Sequence, residues 1–463
     1  MENEIYRRAL MALPFDPLPE QEEALGAMSR FVASEDPAGI FVLNGYAGTG
    51  KTSLVGALVK ALESMKRRVV VLSPTGRGAQ VASGLSAHPA GTIHRRLFRP
   101  DPADPSGARY VTAPNQLRDT LFVVDEASMI ADAGANNPSS LLNQLVRHVY
   151  SSPGCRILMM GDEAQLPPVG QRQANAMRPE RLAAMGLKPC CHVLEIPMRQ
   201  GLDSGIIHNA TMLRHWLLHP EHRIDPHIDA EGYDDVNVVS GRDLPDVLAD
   251  SYAAVGRDDT IIITRANWRA NEFNKAIRSM VFYAEEPLER GDRIVIAKND
   301  YFWGRQQGNK GGLIANGDMA EVTWTGSTEK AYGRYFTEVE LDFGNGRLVN
   351  ALLMLRSLMA KGPALPREEM ERFGRIIANE AEGVFSEKWA AVLNSPYYNA
   401  LQAKYAYCVT CHKAQGGQWR HVYIDMAGID PDALDDDFYR WAYTAITRAT
   451  EKIFFIDPPF PVR

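Results

Sequence analysis

Short, nearly continuous apolar runs rich in β-branched residues recur through the first part of the chain. Each is followed by a turn signal and a longer stretch of helical periodicity. The runs are Gly39–Asn44, Arg68–Ser73, Leu121–Val124, Arg156–Met160 and His192–Ile196. Runs of this length suit strands covered on both faces, and their alternation with helices predicts a parallel α/β sheet. The same grammar returns at Thr260–Thr264, His421–Asp425 and Lys452–Ile456, which predicts a second α/β domain. Between these returning pieces the pattern changes. Gly291–Ala297, Ala320–Thr325 and Thr337–Phe343 alternate apolar and polar positions around Gly-rich turns, the mark of a small antiparallel β module. From Leu352 to Lys404 the texture reads as helical, interrupted by Pro363, Pro366 and Pro396. The stretch Pro100–Asn115 carries four prolines between two strands of the first sheet and reads as an inserted loop or hairpin. No short repeat and no low-complexity segment interrupts the pattern.

A chain of 463 residues allows about two to four domains at ordinary domain size. Hydrophobic residues at 45% and charged residues at 23% are those of a folded globular chain, not a disordered one. Met1–Pro14 lacks the basic segment, apolar run and small-residue cleavage site of a secretory leader. No stretch approaches the ~18 uninterrupted apolar residues of a membrane span. The expectation is a cytoplasmic protein with no membrane partner, and five cysteines in so long a chain agree with a reducing compartment. A net charge of −7 argues against a surface coated in nucleic acid but leaves room for a local basic groove.

The segment Gly45-Tyr-Ala47-Gly48-Thr49-Gly50-Lys51-Thr52 satisfies G-x-x-x-x-G-K-[ST] between a predicted strand and the predicted helix Thr52–Met65. Its glycines let backbone N–H groups close around phosphate oxygens while the helix N-terminus adds partial positive charge. Lys51 reaches the β and γ phosphates and Thr52 ligates Mg²⁺. A bare Gly-rich turn rarely has Lys-Thr behind it in this context. Leu121–Val124 then delivers Asp125 and Glu126 at a strand end. Asp125 suits the Mg²⁺ shell and Glu126 the attacking water. Alone, this acidic pair could merely cap the next helix; beside a phosphate loop it completes a nucleotide site. The absence of G-x-G-x-x-G argues against a dinucleotide-binding sheet.

Several further motifs run in order along the chain. They are Gln21 in Leu-Pro-Glu-Gln-Glu-Glu-Ala; Ser73-Pro74-Thr75-Gly76-Arg77-Gly78-Ala79 followed by Thr92-Ile-His94; and Gly161-Asp162-Glu-Ala-Gln165-Leu-Pro-Pro168. Met198-Arg199-Gln200, Thr410-Cys-His412-Lys413-Ala-Gln415-Gly416 and Tyr443-Thr444-Ala-Ile-Thr447-Arg448-Ala follow. Together they resemble superfamily 1 helicases of the RecD-like and Dda-like group (1B), over almost the whole chain. The resemblance implies that Gln21 reads adenine, Gln165 senses the γ-phosphate, Arg199 contacts that phosphate, and Arg448 acts as an arginine finger. Gln165, Arg199 and Arg448 with Lys51, Asp125 and Glu126 form the implied catalytic set. The nucleotide set is Gln21, Gly45, Ala47, Gly48, Thr49, Gly50, Lys51, Thr52, Ser53, Gln415 and Gly416, and the metal ligands are Thr52 and Asp125. Pro74, Thr75, Gly76, Arg77, Thr92, His94, Phe98, Thr410, His412 and Lys413 are the implied strand-binding residues.

Physical reasoning on single residues runs beside that resemblance. Gln165 follows a strand end in the same sheet as Lys51, so its amide can reach a γ-phosphate. Arg199 and Arg448 lie outside the first sheet and could neutralise transition-state charge across a cleft; taken alone, either could be an interdomain ion pair. Thr75, Arg77, His94, Thr410, His412 and Lys413 follow strands where backbone phosphates could lie, yet each taken singly could cap a helix or face solvent. In Asp300-Tyr-Phe-Trp-Gly304 three adjacent aromatics cannot all point inward from a strand, which leaves room for base stacking. Cys408-Val-Thr-Cys411-His412 spells a haem-attachment pattern and Cys190-Cys191-His192 a zinc-like one, but both read better as strand residues. Asp435-Asp-Asp437 reads as the cap of a helix Phe438–Ala449.

The expected architecture is α/β: two RecA-like P-loop domains with parallel sheets, an inserted pin, and an inserted SH3-like β module with a helical appendage. The first domain takes 1–95 and 121–197, the pin 96–120, the second domain 198–285 and 405–463, and the β module 286–404. The resemblance implies an ATP- and Mg²⁺-dependent 5′→3′ DNA helicase acting as a monomer on single-stranded, forked or tailed DNA, alongside replication or recombination proteins. Three alternatives stay open on the residues alone: a single-strand translocase that strips proteins, an RNA helicase, and a non-motor P-loop switch controlling a protein partner.

Overall fold

The computed structural model describes residues 1–83, 90–100, 110–133, 139–198, 203–223, 226–306, 313–344 and 346–463. In chain order the strands are β1 (Gly39–Gly45), β2 (Arg68–Ser73), β3 (Gly91–Thr92), β4 (Phe98–Pro100), β5 (Tyr110–Thr112), β6 (Thr120–Val124), β7 (Arg156–Gly161), β8 (Lys188–Leu194) and β9 (Val236–Val239). They continue as β10 (Thr260–Thr264), β11 (Arg293–Ile296), β12 (Met319–Ala331), β13 (Arg334–Asp342), β14 (Leu348–Met354), β15 (Ala403–Tyr405), β16 (Cys408–Thr410), β17 (Trp419–Asp425) and β18 (Ala449–Ile456). The chain divides into two compact units, one of Met1–Leu97, Thr112–Val239 and Ala414–Arg463, the other of Phe98–Val111 and Ser240–Lys413.

The first unit contains a six-stranded sheet in the order β3-β2-β6-β7-β1-β8, parallel at every pairing. β1, β6 and β7 are buried along their whole length, as continuous apolar runs demand when helices cover both faces. Helices Glu2–Ala12, Pro19–Ala33 and Lys51–Ser64 close one face, with Ile5, Leu25, Met28, Leu54 and Leu58 fully buried against Phe41, Val123 and Leu158. Truncating one such leucine to alanine costs roughly 2–5 kcal/mol. A second parallel set, β17-β18-β9, belongs to the same unit. Asp435 caps the helix Asp436–Ile446, its side chain accepting from Phe438 N at 2.8 Å. The capping expectation for that carboxylate run is therefore met.

In the second unit β10 and β16 pair in parallel, and β14-β13-β12-β11-β15 form a five-stranded antiparallel sheet. Its long hairpin turns at Tyr332 (φ 50°) and Gly333 (φ 71°), both left-handed, the backbone that a two-residue hairpin turn requires. The chain is thus mixed α/β with parallel sheets, the fold class of two RecA-like domains, and it carries an antiparallel module where alternating residues predict one.

Three expectations change. The helical texture assigned from Leu352 begins only at Arg367. Leu348–Met354 is strand β14, its later residues buried without alternation because helices Arg367–Glu380 and Phe385–Asn394 cover it through Phe373, Ile377 and Val392. The run expected at His192–Ile196 is β8, Lys188–Leu194; β8 ends the sheet order, pairs with β1, and tolerates Pro189 as edge strands do. Tyr301, Phe302 and Trp303 lie off any strand and are all half-buried. Trp303 opens a short helix and its indole N–H donates to Asn399 O at 2.8 Å, which ties it to the helical appendage. Within the expected pin, Phe98–Pro100 and Tyr110–Thr112 pair as a two-stranded ribbon, and 101–109 lie outside the described residues.

Candidate active site

One cleft of about 340 Å³ in the first unit is lined by Ala47, Gly48, Gly50, Lys51, Thr52, Asp125, Glu126, Gln165, Gly416 and Arg448, among others. Lys51 and Arg448, nearly four hundred positions apart, therefore line one cavity. The loop between β1 and the helix Lys51–Ser64 reaches this shape through Gly48 (φ 74°) and Gly50 (φ 84°), left-handed positions that a side chain strains. A Cβ on Gly50 would stand 2.8 Å from Gln21 Nε2, and one on Gly45 2.8 Å from Lys51 Cγ. The glycines thus serve both conformation and close approach.

Lys51 Nζ donates to Tyr46 O at 2.9 Å and also to Gly45 O, folding back on its own loop. Burial pulls its pKa below the usual lysine range, opposed by Asp162, Glu126 and Asp125. Asp125 directly follows β6 and is pushed up to about 7, first by burial and next by the neighbouring Glu126 charge. Glu126 sits in the left-handed region (φ 51°, ψ 38°), which turns its carboxylate out of the strand line. Its Oε1 lies 3.7 Å from Arg448 Nη1. Arg448 is almost fully buried and also donates to Thr444 O at 3.1 Å and Gly417 O at 3.3 Å. The buried Gln165 side chain has an amide oxygen with no hydrogen-bond partner among the described residues, an arrangement that costs roughly 1–3 kcal/mol unless another donor meets it.

The remaining expected residues are less uniformly arranged. Gln21 is fully buried; its Oε1 accepts from Leu18 N at 2.9 Å and its Nε2 donates to Thr49 O at 2.8 Å. Among the described residues these bonds use one N–H and one lone pair of that amide. Thr49 is buried with its hydroxyl on Tyr46 O, and Ser53 lies one residue past the cleft lining. Gln415 donates to Leu166 O at 2.6 Å instead of facing the cavity. Arg199 and Gln200 lie outside the described residues.

Among the expected strand-binding residues of the first unit, Thr75 caps the helix Gly76–Ala82 by accepting from Gly78 N at 3.0 Å. Arg77 donates to Gln418 O at 2.9 Å with its guanidinium 4.1 Å over the Trp419 ring. Pro74 joins β2 to that helix, Thr92 ends β3 with its hydroxyl accepting from Arg95 N at 3.2 Å, and burial lowers the pKa of His94 just beyond. In the second unit Phe98 opens β4 half-buried, Thr410 ends β16 buried, His412 is exposed, and Lys413 Nζ is buried without a hydrogen-bond partner among the described residues. Burial, with the charge of Lys404, brings Lys413 down to about 8. Cys408 and Cys411 are buried and Cys190 and Cys191 exposed.

Sequence reasoning missed the residues that join the two halves of this site. Tyr443 Oη donates to Asp162 Oδ2 at 2.6 Å and accepts from Ala47 N at 2.9 Å. Thr444 Oγ1 accepts from Leu166 N at 2.8 Å, and Arg440 donates to Glu163 O. Tyr443 and Thr444 stood inside the motif that singled out Arg448, but its arginine drew the chemical argument.

An AAA domain family matches residues 19–188 and a UvrD-like helicase C-terminal domain matches residues 405–456. The ATP-dependent RecD2 DNA helicase of Deinococcus radiodurans is 27% identical over 359 residues, covering 73% of this chain and 46% of that protein. The chain thus spans less than half the length of that relative. The ATP-dependent DNA helicase dda of Enterobacteria phage T4 is 22% identical over 452 residues, 89% of this chain and 93% of that one. A solved Pif1 helicase from Bacteroides in complex with ADP-AlF3 and ssDNA has a TM-score of 0.48 at 17% identity, covering 95% of this chain and 92% of that chain. The motifs lie in order along the chain, most of them within these two matched segments, and the chain is similar over most of its length to ATP-dependent DNA helicases of the RecD-like and Dda-like (1B) group of superfamily 1.

Proposed function

We propose that this chain is an ATP-dependent DNA helicase that translocates 5′→3′ on single-stranded DNA and separates duplex. The observation that carries the reading is the single cleft lined by Lys51, Asp125, Glu126, Gln165 and Arg448. Its donor set suits MgATP. Consecutive backbone N–H groups at a helix N-terminus and a lysine suit phosphate, while a hydroxyl and two carboxylates suit a hard cation. The unpartnered Gln165 oxygen and the glycine loop with no room for a Cβ fit the same ligand.

In this reading Lys51 gives up its loop carbonyls to bind the β and γ phosphates, and Thr52 and Asp125 hold Mg²⁺, which supplies charge neutralisation at the phosphates. Glu126 orients and deprotonates the attacking water, and Gln165 follows the γ-phosphate. Arg448 and Arg199 neutralise charge that develops in the transition state, at ~10³ to 10⁵ in rate for such an arginine. Gln21 faces adenine with the amide capacity left to it, and Gln415 and Gly416 complete the nucleotide site. Pro74, Thr75, Gly76, Arg77, Thr92, His94, Thr410, His412 and Lys413 grip the strand, and Phe98 sits at a pin that parts the duplex. The domain division follows: 1–95 with 121–197, a pin 96–120, 198–285 with 405–463, and an SH3-like module 286–404. The partners are single-stranded, forked and tailed DNA, with replication or recombination proteins, and the chain acts as a monomer. The direction rests on the family resemblance. Among the described residues, no helix is long and apolar enough to cross a membrane.

The test is the ATPase rate with and without single-stranded DNA, paired with unwinding of a duplex bearing a 5′ tail. Strand-stimulated hydrolysis and unwinding are expected, both abolished in Lys51→Ala with strand binding retained. No stimulation would point to a nucleotide switch. Stimulation without unwinding would point to a translocase.

A further inference from the structure

A histidine cluster lies away from the cleft, at the C-terminal end of the helix Gly205–Leu218. His215 lies in the last turn of that helix and His219 is the residue that directly follows it. Pro220 starts a short 3-10 turn over Pro220–His222, and this turn brings His222 back onto His215. The two rings stack with centroids 4.9 Å apart and 18° between planes, and His215 Nε2 lies 2.8 Å from His222 Nδ1. His219 packs 4.8 Å from His215 and 5.5 Å from His222, and its Nδ1 is 3.4 Å from Glu221 Oε1. One ligand atom from each of His219, Glu221 and His222 falls within 4.8 Å of the others.

We propose that His215, His219, His222 and Glu221 form a binding site for a divalent transition metal of the zinc class. Three imidazoles and one carboxylate are the donor set that zinc takes, and bonds of about 2.0–2.1 Å in a tetrahedron set ligand atoms roughly 3.3 Å apart. The 4.8 Å spread of His219, Glu221 and His222 exceeds this, and the 2.8 Å between His215 Nε2 and His222 Nδ1 falls short of it, by amounts that exposed side chains cover by rotation about their χ angles. The helix end adds partial negative charge, which favours a cation there. Arg223 takes part of it by donating to Trp216 O and Leu217 O, and its own charge is paired with Asp436 at 2.7 Å. His208 and His227 belong to a separate pairing on Asp229, at 2.7 and 3.3 Å. The site stands apart from the nucleotide cleft: Ile207, which lines the cleft, is twelve residues from His219, roughly 18 Å along a helix. The inference therefore does not depend on the motor reading.

The experiment is a Zn²⁺ titration of the metal-stripped full chain against a chromophoric chelator, with the thermal transition measured beside it. The expected result is one saturable equivalent and a Tm raised on binding, because zinc ties the turn to the helix end. His215→Ala, His219→Ala and His222→Ala each weaken binding by tenfold or more, and Glu221→Gln weakens it less. His208→Ala binds as the wild type does. The ligand side chains are exposed, so the metal-free variants keep the wild-type Tm, which separates lost ligation from lost fold. A wild-type chain with no saturable equivalent, or one whose zinc affinity survives His222→Ala, overturns the site.

Discussion

Tyr443 joins Asp162 to the phosphate-binding loop: one phenolic oxygen donates to Asp162 Oδ2 at 2.6 Å and accepts from the Ala47 backbone N–H at 2.9 Å. Full burial and the adjacent Asp162 carboxylate push this phenol well above its ordinary pKa, so it stays protonated and donates throughout the working range. Asp162 Oδ1 separately accepts from Ala164 N at 3.0 Å. The tyrosine thus ties the helix before Arg448 to the loop before Lys51.

Removing that hydroxyl leaves a buried carboxylate oxygen and a backbone N–H each short of a partner. Tyr443→Phe is expected to cost ~1–3 kcal/mol, read as a lowered Tm, and to raise the KM for ATP as the loop loosens. An unchanged Tm and KM would show that the bridge carries no energy.

Lys413 gives a pH signature. Its amine sits at about 8, below the ~10.4 of an unfolded lysine, because burial disfavours the charge. The unfolded chain then holds the proton more tightly between these values, so at this residue folding is favoured as pH rises through that window. Phosphate binding needs the charged form. Single-strand affinity should therefore hold below pH 8 and weaken above it, by up to about tenfold per unit, while Lys413→Arg keeps its affinity to pH 9. Fluorescence anisotropy at fixed ionic strength reads the difference. Parallel profiles for the two proteins would remove Lys413 from the strand site.

Phe98, half-buried at the start of the two-stranded ribbon, is expected to couple unwinding to hydrolysis. Phe98→Ala should lower base pairs separated per ATP while leaving strand-stimulated ATPase within about twofold of wild type. Unchanged separation per ATP rejects a pin role for this side chain.

Much of this was legible in the sequence, for a physical reason in each case. β2 and β10 appear with the bounds that their apolar runs predict; β10 is buried along its whole length and β2 from Val71 to Ser73, and strand residues so covered leave little freedom in composition. The loop Gly45–Thr52 is legible because its backbone has no substitute for glycine at Gly48 and Gly50. β14 was misread as helix because its second half is covered on both faces and loses alternation. β8 was displaced because an edge strand admits Pro189 and charged residues that an interior strand excludes. Tyr443 was overlooked because its role depends on two partners nearly three and four hundred positions away, which local pattern cannot report.

The central claim is that Lys51 and Arg448 act on one nucleotide from facing walls of one cleft. The direct measurement is kcat of the single-strand-stimulated ATPase for Arg448→Lys, a change that keeps the charge but loses the planar fork, alongside nucleotide affinity. The account predicts a fall of ~10³ or more in kcat with nucleotide affinity within about tenfold of wild type. A variant that hydrolyses ATP within threefold of the wild-type rate would contradict it.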